Sequence, residues 1–257
     1  MSTKFLGNTF IGTSNIVLPG SKQTFPLAFQ QKSRLHYYSS LFNSLEVNSS
    51  FYKLPMPATF KKWAMDVPED FRFTLKISKE ISHAKALKFS PTLLNKFLAA
   101  AAGIGNKKGC LLLQFPGKIT LDYYNEVENI LHSFSSAETA LQWPIAAEFR
   151  HPGWYVSECF ELLNEYHATL VQHDHPKARN VDFNKNARLV YLRFHGPEGN
   201  YRGSYTTEFL RQQAEKVMKW KRQGSDVYAY FNNTMGSAFQ NAQALQQLVT
   251  QEILPAN

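Results

Sequence analysis

Residues 189–195 read LVYLRFH, and the alternation inside this stretch decides the fold. Side chains along a strand point to opposite faces in turn. Val190, Leu192 and Phe194 therefore share one face, and Tyr191, Arg193 and His195 share the other. The first face suits burial against helices. The second places a guanidinium and an imidazole on a segment otherwise apolar enough to be interior. The pattern asks for a sheet covered by helices on one side, whose other side gathers polar groups.

Outward from this segment, similar short runs recur at Thr9–Thr13, Ser44–Tyr52, Arg72–Ser78, Gly109–Phe115, Ile145–Arg150, Thr169–Asp174 and Val227–Asn232. With Leu189–His195 they make eight predicted strands. Between them, apolar residues return every three or four positions, the helical period. Helices are predicted at Leu27–Phe42, Thr59–Asp66, Pro91–Ala102, Tyr123–Phe134, Ser157–Tyr166 and Thr206–Arg222, and Ala238–Ile253 follows the last strand. Pro91 suits a first helical turn, and Gly224 stands just past a helix end. The polar stretch His175–Ala187 shows no helix, so the repeat is irregular between strands six and seven.

Strands alternating with helices pair in parallel through right-handed crossovers. The predicted fold is α/β, a single (β/α)8 TIM barrel spanning residues 1–257. An open doubly wound sheet would carry a glycine-rich phosphate loop after its first strand. TSNIVLPGSKQTFP (13–26) is not one, and Gly103–Gly105 closes a helix rather than opening one.

Composition agrees. The chain has 257 residues, 44% hydrophobic and 19% charged, which excludes a disordered or collagenous protein. A barrel needs roughly 250 residues. The formal charge of +8 favours phosphorylated ligands or polyanions as partners. Two cysteines, Cys110 and Cys159, lie among apolar neighbours and are expected to be buried thiols. The start MSTKFLGNTF has no signal-like apolar core, and Phe97–Ile104 falls far short of the ~20 residues of a membrane span. The expectation is a cytoplasmic protein without a membrane partner; oligomeric state is left open.

Seven consecutive strands, two to eight, contribute polar groups to one common face. Strand two gives Glu46 and Asn48, strand three Thr74 and Lys76, strand four Gln114, and strand five Glu148 and Arg150. Strand six gives Gln172 and Asp174, opposite Val171; strand seven gives Arg193 and His195; strand eight gives Asn232. Barrel active sites lie at the C-terminal ends of the strands, so these groups should converge there. The loops beyond add His83, Trp154, Tyr201, Arg202 and Tyr205. Phe51, Tyr52 and Trp63 read as core rather than as a ligand platform.

These residues carry a family resemblance. LEVNSSFYKLP (45–55), FRFTLKIS (71–78) with ISH (81–83), LLLQFP (111–116), AEFRHPGW (147–154), VYLRFHG (190–196) with NYRGSY (200–205), and YFNNTMGSAFQNA (230–242) resemble the YecE-like proteins, known as domain of unknown function 72. The resemblance spans nearly the whole chain. It implies a TIM-barrel fold and marks Glu46, Asn48, Lys76, His83, Gln114, Glu148, Arg150, Arg193, His195 and Asn232 as characteristic polar positions. It also implies a likeness in fold to barrel endonucleases that repair DNA, but no established activity. GTSNIVLPG (12–20) departs from the family's opening pattern, which carries an aromatic pair, and Ser82 stands where threonine is usual.

Four functions compete. The first is a phosphate- or nucleic-acid-directed site, with Glu46, Glu148, Asp174 and His195 as candidate catalytic groups of a hydrolase acting on a phosphodiester. Asn48, Lys76, His83, Gln114, Arg150, Trp154, Arg193, Tyr201, Tyr205 and Asn232 would bind the ligand. A metal-dependent enzyme is the second, on Glu46, Glu148, Asp174, His83 and His195; no metal-ligand motif supports it, so no cofactor is predicted and a divalent metal is a minor expectation. The third is a carbohydrate-active barrel with Glu46 and Glu148 as its carboxylate pair. The last is a non-catalytic module binding an anion or peptide.

Overall fold

The computed structural model describes residues 6–137, 143–187 and 189–251. Nine strands are described: β1 (Thr9–Thr13), β2 (Ser44–Val47), β3 (Arg72–Lys76), β4 (Lys108–Phe115), β5 (Ile145–Phe149), β6 (Thr169–Leu170), β7 (Gln172–His173), β8 (Leu189–Phe194) and β9 (Asp226–Phe231). Among the described residues they form two sheets, in the orders β1-β9-β8-β7 and β2-β3-β4-β5-β6. Every pairing between neighbours is parallel.

The described helices are α1 (Leu27–Gln30), α2 (Arg34–Ser39), α3 (Ser49–Tyr52), α4 (Pro57–Met65), α5 (Lys79–Ser82), α6 (Pro91–Ala101), α7 (Tyr124–Ser136), α8 (Ser157–Glu165), α9 (Thr207–Arg222) and α10 (Ala238–Gln251). Their ends follow side-chain chemistry. Ser90 accepts the Thr92 N–H and Pro91 opens α6, while Thr206 accepts the Phe209 N–H to open α9. Lys219, Lys221 and Arg222 sit in the last turn of α9, where the helix dipole favours cations.

Two layers of core result. Leu45, Phe73, Leu75, Leu113, Phe149, Leu192 and Phe194 pack with Phe97, Leu98, Ile130, Leu131, Leu162 and Val217 of the helices. Each such side chain contributes roughly 1.5–3 kcal/mol on burial. A second, smaller cluster joins Phe10, Cys110, Leu112, Ala146, Val171, Leu189, Tyr191, Tyr228 and Tyr230 on the opposite face of the strands. It fills the space beneath the polar residues at the strand C-termini. Cys110 and Cys159 are both free and buried, as expected.

The two sheets meet at two places. Ser14 bridges to Glu46, and the Asn15 N–H donates to the Glu46 carbonyl at 2.7 Å. Gly12 makes this approach feasible: a Cβ there would lie 2.0 Å from the Ser44 carbonyl oxygen. At the other seam the chain passes from β6 to β7 through Val171 alone.

Four expectations need revision. The strand predicted over Ser44–Tyr52 ends at Val47, and Ser49–Tyr52 turns into α3. The helix predicted over Leu27–Phe42 is two helices, restarted at Ser33, whose hydroxyl accepts the His36 N–H. In the sixth predicted strand the faces are reversed: Val171 and His173 point to the common polar side, and Gln172 lies on the outer side beside Leu192, Phe194 and Phe209. Tyr52 is exposed rather than core. Met1–Phe5 and the end of the last predicted helix at Ile253 lie outside the described residues.

Candidate functional site at the strand C-termini

Arg193 organises the site. It is 1% exposed, and its guanidinium faces two carboxylates. Nε and NH2 donate to the two oxygens of Glu46 at 3.0 and 2.8 Å, and NH1 donates to Glu148 Oε2 at 2.6 Å. Ser14 and Tyr191 each donate to Glu46 at 2.6 Å, and Asn48 Nδ2 reaches it at 3.3 Å. Arg150 Nε donates to the remaining oxygen of Glu148. Burial pushes the carboxyl pKa values up, but the guanidiniums outweigh it and hold Glu46 and Glu148 below the ordinary carboxylate range. Both are ionised; Glu46 accepts five hydrogen bonds, and each oxygen of Glu148 accepts one from a guanidinium.

A second unit sits beside the first. Arg150 NH2 lies 2.7 Å from His195 Nε2, and Arg193 NH1 lies 3.4 Å from it. Guanidinium groups only donate, so Nε2 is the lone-pair nitrogen and the proton is on Nδ1. Nδ1 faces Asp174 Oδ1 at 3.2 Å, and the same oxygen accepts the His195 backbone N–H at 2.7 Å. Tyr205 donates its hydroxyl to Asp174 Oδ2 and accepts the Gly196 N–H at 2.6 Å. Gly196 has a φ of 101°, and a Cβ there would meet the Arg202 carbonyl at 2.2 Å. Desolvation lowers the His195 pKa to about 4, so the imidazole is neutral. Asp174 is held below its ordinary value, by its hydrogen bonds from His195 and Tyr205 against the cost of burial.

Lys76 and His83 line the other side. Lys76 Nζ donates to Gln114 Oε1 at 2.9 Å and sits 4.3 Å from the centre of the Phe51 ring. Burial, then the charge of Arg193, lowers its pKa to about 8. The His83 ring packs edge-on against the same Phe51 at 4.8 Å, with Nδ1 3.0 Å from the Ser82 hydroxyl. Desolvation and the charges of Lys76, Lys118 and Arg150 lower the His83 pKa to about 4. The loop that follows carries consecutive left-handed residues, Ala86 and Leu87, with φ of 49° and 51°. Burial of the Leu87 side chain holds that strain.

Most of the expected residues therefore converge, with exceptions. Trp154 does not line the site: it is fully buried, stacked on Phe149 at 4.3 Å and donating Nε1–H to the Ile119 carbonyl. Tyr205 is likewise buried and holds Asp174 instead of offering a stacking face. Arg193 is expected to bind ligand but is sequestered by Glu46 and Glu148. Asn232 is half-buried at the end of β9, its backbone N–H on the Phe194 carbonyl. Tyr201 is half-buried, with its ring 5.7 Å from that of His195 and a φ of 66°.

Sequence reasoning missed three members. Ser14 belongs to the divergent first loop, from which the sequence predicts no site residue. His173 and His175 were hidden by the reversed phase of strand six, although the HDHP run (173–176) carried the signal. The His173 ring is 5.8 Å from that of His195 and the His175 ring also 5.8 Å from it. His175 Nδ1 is buried without a partner, and its pKa falls to about 4 through desolvation and the charge of Arg150. Among the described residues, no group of three or more His, Cys, Asp or Glu side chains is placed to hold a metal ion. No described helix is long and apolar enough to cross a membrane.

The fold and site define an α/β protein of parallel sheets with a charged, hydrogen-bonded cluster at the carboxyl ends of its strands. The chain belongs to the family described as "Protein of unknown function DUF72", whose model matches residues 10–256. It is similar to the UPF0759 protein YunF of Bacillus subtilis, 24% identical over 88% of this chain and 89% of that protein. It is also similar to the UPF0759 protein YecE of Escherichia coli, 29% identical over 121 residues, 47% of this chain and only 43% of that protein. Among solved structures, a DUF72 family protein of Enterococcus faecalis superposes with a TM-score of 0.78 at 24% identity, covering 97% of each chain. One from Thermotoga maritima gives 0.72 at 22% identity, covering 95% of this chain and 99% of that one. The structure of SacUVDE gives 0.58 at 9% identity, covering 96% of this chain and all of that one. At these identities the structural likenesses bear on the fold alone.

Proposed function

We propose that the two sheets are halves of one closed (β/α)8 barrel, and that its C-terminal mouth binds the phosphate group of an organic ligand. Closure is supported by the Ser14–Glu46 bridge at one seam and by the single residue between β6 and β7 at the other. One observation carries the binding reading. Glu46 and Glu148 are consumed by Arg193 and by the Nε of Arg150, which leaves Lys76 and the outer edge of Arg150 facing neutral imidazoles. A half-buried lysine without a carboxylate, beside an arginine that spends only its Nε on one, suits a phosphate.

The same electrostatics rank the other readings. A carbohydrate-cleaving pair needs one protonated carboxyl, and here guanidiniums keep both ionised. A metal would have to displace those guanidiniums from the carboxylates. Glu46 and Glu148 are anchors in this reading; a hydrolytic step on a phosphodiester would draw its base from His83 or His175. A nucleic-acid ligand extends the same reading, with exposed Tyr52 and Arg202 at the rim.

Calorimetric titration at low salt tests it, with inorganic phosphate and with a short single-stranded oligonucleotide. Phosphate or oligonucleotide binds, weakens as salt is raised, and weakens about ten-fold in Arg150→Lys, which keeps the charge but loses the fork. Absence of binding by both ligands at low salt overturns the proposal.

A further inference from the structure

A lysine among guanidiniums, without a carboxylate of its own, invites the question of what its nitrogen does. Lys76 sits on the polar face at the last position of β3. Its hydrogen bond goes to a neutral amide, Gln114, which is itself buried. The ring of Phe51 fixes one side of the amine at 4.3 Å. The Ser50 hydroxyl donates to the Lys76 carbonyl at 2.7 Å and pins the backbone beneath it. His83 packs against the same Phe51 ring, its Nδ1 turned to Ser82 and its other nitrogen left open. The amine is thus oriented and partly desolvated, with an imidazole as neighbour; burial and the guanidiniums oppose its positive charge, against the pull of Glu148 and Glu46.

We propose that Lys76 is a nucleophilic amine that condenses with the carbonyl carbon of a phosphorylated aldehyde or ketone. This rests on the phosphate-binding reading, with Arg150 holding the phosphate while Lys76 reacts. The free amine's lone pair adds to the carbonyl carbon as the C=O π bond breaks, and one proton passes from the nitrogen to the oxygen, giving a carbinolamine. Its hydroxyl then leaves as water with a second proton, and the nitrogen gives up its remaining hydrogen to reach the neutral imine. His83, neutral and packed on the same Phe51 ring, would take a proton from the nitrogen and return it to the oxygen. The net change is one C=N bond formed and one water released, with no oxidant or reductant. The lowered lysine pKa, about 8, agrees with this role. It leaves on the order of 100-fold more free amine at neutral pH than an ordinary lysine has.

The full chain is treated with glyceraldehyde 3-phosphate or glyceraldehyde and sodium cyanoborohydride at pH 7, and adducts are mapped by peptide mass spectrometry. Lys76 is expected to be labelled at least ten-fold faster than the exposed lysines by the phosphorylated probe. Its rate should rise to a plateau near pH 8, and inorganic phosphate should protect it. Labelling spread over surface lysines, with Lys76 slow towards both aldehydes, overturns the proposal. Fast labelling of Lys76 by both aldehydes, without protection by phosphate, leaves the amine role standing and overturns the phosphate-binding reading beneath it. Because the readout is on the unmodified chain, it does not depend on a variant that folds.

Discussion

Arg193 shows how one buried residue can organise a site through its ion pairs. Its guanidinium holds Glu46 by two hydrogen bonds and Glu148 by a third, all out of water. Buried ion pairs gain little over apolar packing, but losing one partner leaves an uncompensated charge at a cost of about 3–5 kcal/mol. Arg193→Met would leave Glu46 buried without a cationic partner and Glu148 with Arg150 alone. Urea unfolding should register a loss of at least about 3 kcal/mol. A loss under about 0.5 kcal/mol, in the range of ordinary surface changes, would mean that the network is not what holds the strand ends together. The alternation of LVYLRFH placed Arg193 on the correct face. It could not tell a buried anchor from a ligand contact, because that depends on which groups the other strands bring to it. Trp154 failed for a related reason. An aromatic residue in a loop after a strand looks available, and only the packing of Phe149 and the Ile119 carbonyl shows that it is spent.

At the scale of elements, the period-two signal located strand starts to within one residue, since β3, β5 and β8 begin where the alternation begins. It failed where backbone geometry breaks the period. Asn48 opens a helical turn directly after β2, so polar alternation ran past the strand's end. Around Val171 the chain changes sheets, and its neighbours on the two sides differ. Between β7 and β8 the described residues hold only one short helical turn, Pro176–Ala178, and two asparagines secure the crossing. Asn180 exchanges backbone hydrogen bonds with His173, and its Nδ2 donates to the Val171 carbonyl at 3.0 Å. Asn184 accepts the Leu170 N–H at 2.9 Å and donates to the Ala168 carbonyl. Asn180→Ala leaves the Val171 carbonyl without that donor at the seam, at a cost of about 1–3 kcal/mol. Amide exchange should accelerate for Val171 and His173 well before the rest of the sheet opens. Unchanged protection of both amides would show that this loop does not secure the seam.

For the whole molecule, a formal charge of +8 favours polyanions, but the buried cluster is close to balanced, with Glu46, Glu148 and Asp174 facing Lys76, Arg150 and Arg193. What the fold adds is a set of imidazoles kept neutral. His83, His175 and His195 each fall from an ordinary 6.5 to about 4, with desolvation as the largest cause. In the unfolded chain they take protons below pH 6.5, whereas the folded chain resists until about pH 4. Between those values the unfolded state binds more protons, so stability must rise with pH there and be lost on acidification. His195, fully buried, accounts for about 3 kcal/mol of that slope; the two half-exposed imidazoles add less because solvent screens them. The lowered carboxylates act in the same direction at still lower pH. Urea midpoints measured at pH 7.5, 6, 5 and 4.5 should fall steadily below pH 6.5, and His195→Asn should flatten part of that decline. A midpoint constant from pH 7 to pH 5 would mean that these rings are charged in the folded protein. The Arg150–His195 contact would then be repulsive, and the placement of the proton on Nδ1 would fall with it.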